Sequence, residues 1–191
     1  MRWVVDTSAW ARREIPEVRR QLEDILAERD ESEFVLSPVV LLELLRGPQG
    51  DADVSAERGM LTSSMATLGV DAATFELAAD AMEALARHDA TAHRLPVADL
   101  VTAALAHQHR SGVVHCDDHF ELLANCSGLQ FVQRRIELPA DDAQRSSGHL
   151  IAGRQRALKQ EPFQLLHREP VADAEAFLER TVRALRERGE P

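Results

Sequence analysis

Five short apolar runs, Trp3-Val4-Val5, Phe34-Val35-Leu36, Leu68-Gly69-Val70, Val113-Val114-His115-Cys116 and Leu129-Gln130-Phe131-Val132, alternate along the chain with segments of helical spacing. Each run is too short for a helix and too apolar for a surface loop, so each reads as a strand buried on both faces. Strands that alternate with helices predict an α/β domain with a mainly parallel central sheet, because parallel neighbours need a crossover between them. The first intervening helix opens at Pro16 and carries Val18, Leu22, Ile25 and Leu26 on one side. The second has Ser37 as N-cap and Pro38 as first residue. A third runs from about Asp71 to Arg87. The fourth begins at Pro96, continues as an alanine-rich apolar segment through Arg110, and stops at Ser111-Gly112. The stretch Gly47 to Gly59 reads as a polar loop or frayed helix start.

In such a sheet the carboxyl ends of the strands and the starts of the following helices share one edge, and sites form there. Four acids fall at such places. Asp6 ends the first strand and is followed by the hydroxyls of Thr7 and Ser8; Asp117 and Asp118 end the fourth; Asp99 lies in a first helical turn. Glu43 sits inside Val39-Val40-Leu41-Leu42-Glu43-Leu44-Leu45, where a charge needs water, a partner or a cation. Two unit charges about 4 Å apart repel by roughly 4 kcal/mol at an effective dielectric of 20. A cluster of Asp6, Glu43, Asp99 and Asp117 must therefore share protons or hold a cation. Oxygen ligands favour Mg²⁺ or Mn²⁺ over zinc. Such an ion beside a phosphate suits phosphodiester hydrolysis.

Composition narrows the partners. The net charge is −10, and residues 1–136 hold 13 arginines and no lysine against 22 acids. That balance excludes binding of nucleic acid by broad phosphate neutralisation. Aromatics make up 4% of residues and tyrosine is absent, so extensive base stacking is not expected, and RNA shape and backbone are the readable features. Arg12, Arg13, Arg134 and Arg135 are candidate phosphate contacts, although solvated charge is the commoner role. Lys159 is the only lysine, which removes lysine-based catalysis. Aspartyl phosphotransfer also fails, for Ser8 stands where one class of such enzymes needs a second Asp. Two cysteines, Cys116 and Cys126, are too few for a disulfide framework. His115, Cys116 and His119 lack zinc-site spacing, and His107 and His109, spaced i, i+2, do not share a helix face. Asp6 interrupts any secretory leader, and no uncharged apolar stretch approaches the roughly 18 residues of a membrane span. A cytoplasmic protein is expected.

These segments resemble the PIN-domain ribonucleases, and most closely the VapC-type toxins of toxin–antitoxin pairs. The resemblance is carried by Val4-Val5-Asp6-Thr7-Ser8, by Ser37-Pro38 through Arg46-Gly47 around Glu43, by Pro96-Val97-Ala98-Asp99 with the alanine-rich helix after it, and by His115-Cys116-Asp117-Asp118-His119-Phe120. It covers about residues 2–135. It implies a three-layer α/β/α fold and a metal-dependent endoribonuclease. In that reading Asp6 and Asp99 ligate Mg²⁺ or Mn²⁺, Glu43 and Asp117 complete the acidic pocket, and Ser8 and Asp118 lie beside it. It also implies an RNA substrate, a cognate antitoxin and a homodimer. The chain departs from the family at His119, where a second Asp is usual. That change motivates an alternative, a catalytically weakened PIN-like binding protein.

After Glu137 the character changes. Residues 1–136 are expected to form the nuclease domain. Residues 137–191 are expected to form a linker and a mostly helical extension, whose last helix carries Ala174, Phe177, Leu178, Val182 and Leu185 as an apolar stripe.

Overall fold

The computed structural model describes residues 1–28, 32–48 and 50–139, so all but the first three residues of the expected extension lie outside the described residues. Five strands form one sheet in the order β3-β2-β1-β4-β5, and every neighbouring pair is parallel. The strands are β1 (Arg2–Val5), β2 (Glu33–Leu36), β3 (Ala66–Thr67), β4 (Gly112–His115) and β5 (Val132–Arg135). The helices are α1 (Thr7–Trp10), α2 (Pro16–Ala27), α3 (Pro38–Leu44), α4 (Asp51–Ser64), α5 (Ala72–His88), α6 (Val97–Gln108) and α7 (His119–Cys126). The α/β class with a parallel sheet is as the sequence predicts.

Both faces of the central strands are buried, which is why β1, β2 and β4 read as continuous apolar runs. Side chains alternate across a strand, so Val4, Val35 and Val113 face one side while Trp3, Val5, Phe34, Leu36 and Val114 face the other. A core cluster on one side joins Ala78, Ala81 and Leu85 of α5, most of α6, Val113, and Phe120 and Leu123 of α7. The alanine-rich sequence of α6 serves that packing. Small side chains let it be buried from Asp99 to Ala106 without a break.

Three boundaries differ from the sequence reading. β3 lies at Ala66–Thr67, not at Leu68-Gly69-Val70. Leu68 continues the ladder only through its N–H to Leu36 O at 2.9 Å. Leu68 and Val70 are apolar because they pack into a core cluster after the strand ends. In the same way β5 lies at Val132–Arg135, while Leu129 and Phe131 pack into the core before it. Both are edge strands, and β5 exposes most of its residues, so apolar content marked the neighbouring packing residues instead. The stretch after Gly50 is the helix α4, in which Leu61 is the buried residue. A helix with so little buried surface leaves almost no periodic signal.

Gly112 also has a different role from the expected helix stop. The left-handed turn after α6 is taken by Arg110, at φ 52°. Ser111 N–H donates to Ala106 O at 2.8 Å and Arg110 N–H to His107 O at 3.2 Å, the paired bonds of a Schellman motif with arginine in glycine's usual place. Gly112 is instead the first residue of β4, paired with Trp3 of β1. A Cβ there would run into Trp3 Cε3 and Cζ3. Trp3 is itself buried on the crowded central strand, so the ring has little room to yield. Gly112→Ala is therefore expected to destabilise the protein by about 1–3 kcal/mol, measured by denaturant unfolding. An unchanged midpoint would mean that the ring moves freely.

Candidate metal centre

The strand order reverses between β1 and β4, and their carboxyl ends lie side by side at that switch point. Asp6 follows β1 directly. It caps α1, and its Oδ2 accepts the Ser8 N–H at 2.8 Å. The Ser8 hydroxyl bonds the Asp6 carboxylate as well, and its oxygen accepts the Cys116 N–H at 3.0 Å. Ser8 thus ties the end of β4 to the end of β1 and orients Asp6 between them. Thr7, which sequence reasoning did not single out beyond its hydroxyl, donates to Glu43 Oε2 at 2.7 Å. That bond draws the half-buried α3 carboxylate toward the start of α1.

Asp99 is the third residue of α6 and is 5% exposed, as is Asp6. Burial pushes both carboxyls above the usual carboxylate range. At Asp6 the Ser8 donors oppose that rise, and the negative charges of Glu43 and Asp117 add to it. At Asp99 the His119 hydrogen bond opposes it, and Asp6 and Asp117 add to it. Asp6, Glu43 and Asp117 thus each exert their charge on another member of the group. Asp6, Glu43, Asp99 and Asp117 come from separate segments and are brought together at one edge.

His119 joins them. Its Nδ1 lies 2.8 Å from Asp99 Oδ2 and 3.2 Å from Asp117 Oδ1, and its backbone N–H donates to the same Asp117 oxygen at 3.2 Å. Sequence reading marked His119 as a departure from a pattern and set it aside as a metal ligand because His115, Cys116 and His119 lack zinc-site spacing. Its spacing of two residues from Asp117, at a helix start, was the available signal. Asp118 behaves differently. It is exposed and ion-paired with Arg135, which also holds Glu121 at 2.7 Å.

The remaining candidates have structural partners. His115 is fully buried, its Nε2 bonds Gln133 Oε1 at 2.7 Å, and its ring packs against Phe120 at 5.0 Å. Burial lowers its basicity and keeps the imidazole neutral. The Cys116 thiol is pushed up to about 11, chiefly by burial. His107 Nδ1 accepts the Gln130 N–H at 2.9 Å, and His109 Nε2 bonds Gly69 O at 2.8 Å. Arg13 stacks over Trp10, and Arg134 pairs with Glu28 at 2.7 Å. Arg12 donates to Ser8 O at 2.6 Å, which places its guanidinium at the rim of the acidic edge.

The donor set fits a divalent cation. Asp6 and Asp99 are two buried carboxylates, each held above its ordinary range by burial and by other negative charges, and such a group suits a cation. Among the described residues, Asp99, Asp117 and His119 offer ligand atoms within 4.8 Å of one another.

Comparison with known proteins places the chain in a family. The PIN-domain family matches residues 3–125. The chain is 33% identical over 129 residues to Ribonuclease VapC18 of Mycobacterium tuberculosis, an alignment spanning 67% of this chain and 91% of that protein. VapBC-1 from nontypeable Haemophilus influenzae superposes with a TM-score of 0.58 at 14% identity, over 71% of this chain and 98% of that one. VapBC2 from Rickettsia felis, solved bound to a DNA fragment from its promoter, gives 0.55 at 14% identity, over 72% and 100%. At that identity the two structures speak for the fold alone.

Proposed function

The chain belongs to the PIN-domain family and to the VapC type within it, and from that premise we propose that it is a metal-dependent endoribonuclease, the toxin of a toxin–antitoxin pair. The observation that supports this most is the convergence of buried Asp6 and Asp99 with Asp117 and Glu43 at the switch point of the sheet. Asp6 and Asp99 are the proposed ligands of Mg²⁺ or Mn²⁺, with Glu43 and Asp117 completing the pocket. When bound, the ion supplies charge for the phosphate oxygens and acidity for a water nucleophile.

The chain's own residues prepare the site. Ser8 and Thr7 fix the Asp6 and Glu43 carboxylates by hydrogen bonds. Arg12, whose guanidinium donates to the Ser8 carbonyl, is a proposed phosphate contact. The site lies at the carboxyl edge of a parallel sheet, where a single strand of RNA can be presented without a basic groove. The proposed organisation has a nuclease domain over residues 1–136 and an extension over 137–191. The proposed partners are RNA, a cognate antitoxin and a second copy of the chain, in the cytoplasm. The antitoxin is proposed from membership of the VapC type, which the likeness to Ribonuclease VapC18 supports. Among the described residues no helix is long and apolar enough to cross a membrane.

One feature favours a second reading. His119 bonds Asp99 from within the acidic group, so a binding protein with weakened catalysis is the alternative. Incubating the purified chain with structured and single-stranded RNA separates the two. Cleavage is expected with Mg²⁺ or Mn²⁺, and none after EDTA or in Asp6→Asn. Equal cleavage by wild type and Asp6→Asn would remove the site from the reaction, and no cleavage of any RNA would favour the binding protein.

A further inference from the structure

His119 occupies the first turn of α7, and its Nδ1 faces two carboxylates, one from α6 and one from the end of β4, at 2.8 and 3.2 Å. The side chain is 20% exposed and that of Asp99 is 7% exposed, so this is a contact inside the site and not a surface pair. An octahedral ion with bonds of about 2.1 Å sets neighbouring ligand atoms about 3 Å apart. Both nitrogen–oxygen separations are close to that spacing.

Among the described residues, Asp99, Asp117 and His119 offer ligand atoms that all lie within 4.8 Å of one another, so one ion can reach all three.

We propose that His119 is a direct nitrogen ligand of the resident ion through Nδ1, beside the Asp99 and Asp117 carboxylates, and that this mixed set selects a first-row transition dication such as Mn²⁺ over Mg²⁺. Mg²⁺ is hard, dehydrates reluctantly and takes oxygen ligands, whereas imidazole suits the borderline dications. An aspartate at this position leaves the set all-oxygen and removes the preference. The inference rests on the ribonuclease reading for the presence of an ion; the nitrogen ligand comes from this chain's own sequence.

The test uses the full-length chain and the metal alone. Pulsed electron paramagnetic resonance of bound Mn²⁺ is expected to show directly coordinated ¹⁴N in wild type and none in His119→Asp. Titration is expected to show tighter binding of Mn²⁺ than of Mg²⁺, with the ratio falling by about tenfold or more in His119→Asp, since even the outer partners of metal ligands act on that scale. Because the wild-type spectrum needs no variant, a misfolded His119→Asp does not protect the proposal. Bound Mn²⁺ without ¹⁴N coupling would overturn the nitrogen ligand and leave the ribonuclease reading intact. Coupling that survives in His119→Asp would also overturn it. Failure of wild type to bind either ion would sink both.

Discussion

Asp99→Asn is expected to lower metal-dependent RNA cleavage by roughly 10³-fold, about 4 kcal/mol of transition-state stabilisation, while leaving the fold intact. The side chains are nearly the same size, and asparagine Oδ1 can still accept from His119 Nδ1, the bond that holds α7 against α6. What is lost is the negative charge, and a buried charge is what a cation at this edge would answer. The stability change should run the other way. Burial, aided by Asp6 and Asp117, raises the Asp99 carboxyl above its ordinary value. A group whose folded pKa is raised gives stability that is complete below the unfolded pKa and lost as pH rises through the folded one. At neutral pH without metal, then, the ionised Asp99 weakens the fold, and asparagine imitates its protonated form. In a chelating buffer the variant should melt at or above the wild-type temperature near pH 7, and the difference should shrink toward pH 4. Undiminished cleavage would take Asp99 out of the site. A variant far less stable at neutral pH would mean that the carboxylate has a partner that compensates its charge.

The second large effect concerns Phe120, next to His119 and fully buried. Its ring packs against His115 and belongs to the cluster that joins α5, α6 and α7. Truncation to alanine leaves a cavity that these elements cannot close, because α6 is already packed through small side chains along its length. A loss of about 3–5 kcal/mol in unfolding free energy is expected. Phe120→Leu, which keeps most of the volume, should cost much less. Cleavage should fall in Phe120→Ala even at temperatures where it stays folded, since α7 carries His119 and follows Asp117 directly. A loss under about 1 kcal/mol would show that the helix repacks and that Phe120 does not fix the fourth corner of the site.

The parts of this structure that could be read from the sequence share a physical cause. Trp3-Val4-Val5 and Val113-Val114 were legible because central parallel strands are buried on both faces, and the acids after them because the fold gathers strand ends at one edge. The capped start of α3 was legible from Ser37-Pro38, since a cap is a local hydrogen bond that residue type alone announces. The edge strands were not, for their ladder bonds belong to the backbone and their side chains meet water. α4 hid for the same reason. Gly112 was misread because its constraint is a tryptophan more than a hundred residues away, and sequence cannot show what a missing Cβ makes room for. Of the site, Asp6, Glu43, Asp99 and Asp117 were named from position. The role of Thr7 in holding Glu43, and of His119 in facing Asp99, depends on how α1 and α7 leave their strands, which no spacing rule supplies.

The pairing of Trp3 with Gly112 has a consequence in time. The centre of the sheet is made from the first strand synthesised and the fourth, so the ribosome must add roughly a hundred residues, on the order of 5–20 s at ordinary rates, before β1 can meet its inner neighbour. Until then the nascent chain carries Asp6 and Glu43 with no opposing pair. Long-range parallel pairing is slow in any case, because loop closure comes before its reward. The centre of the sheet is thus assembled late, only after β4 has been made.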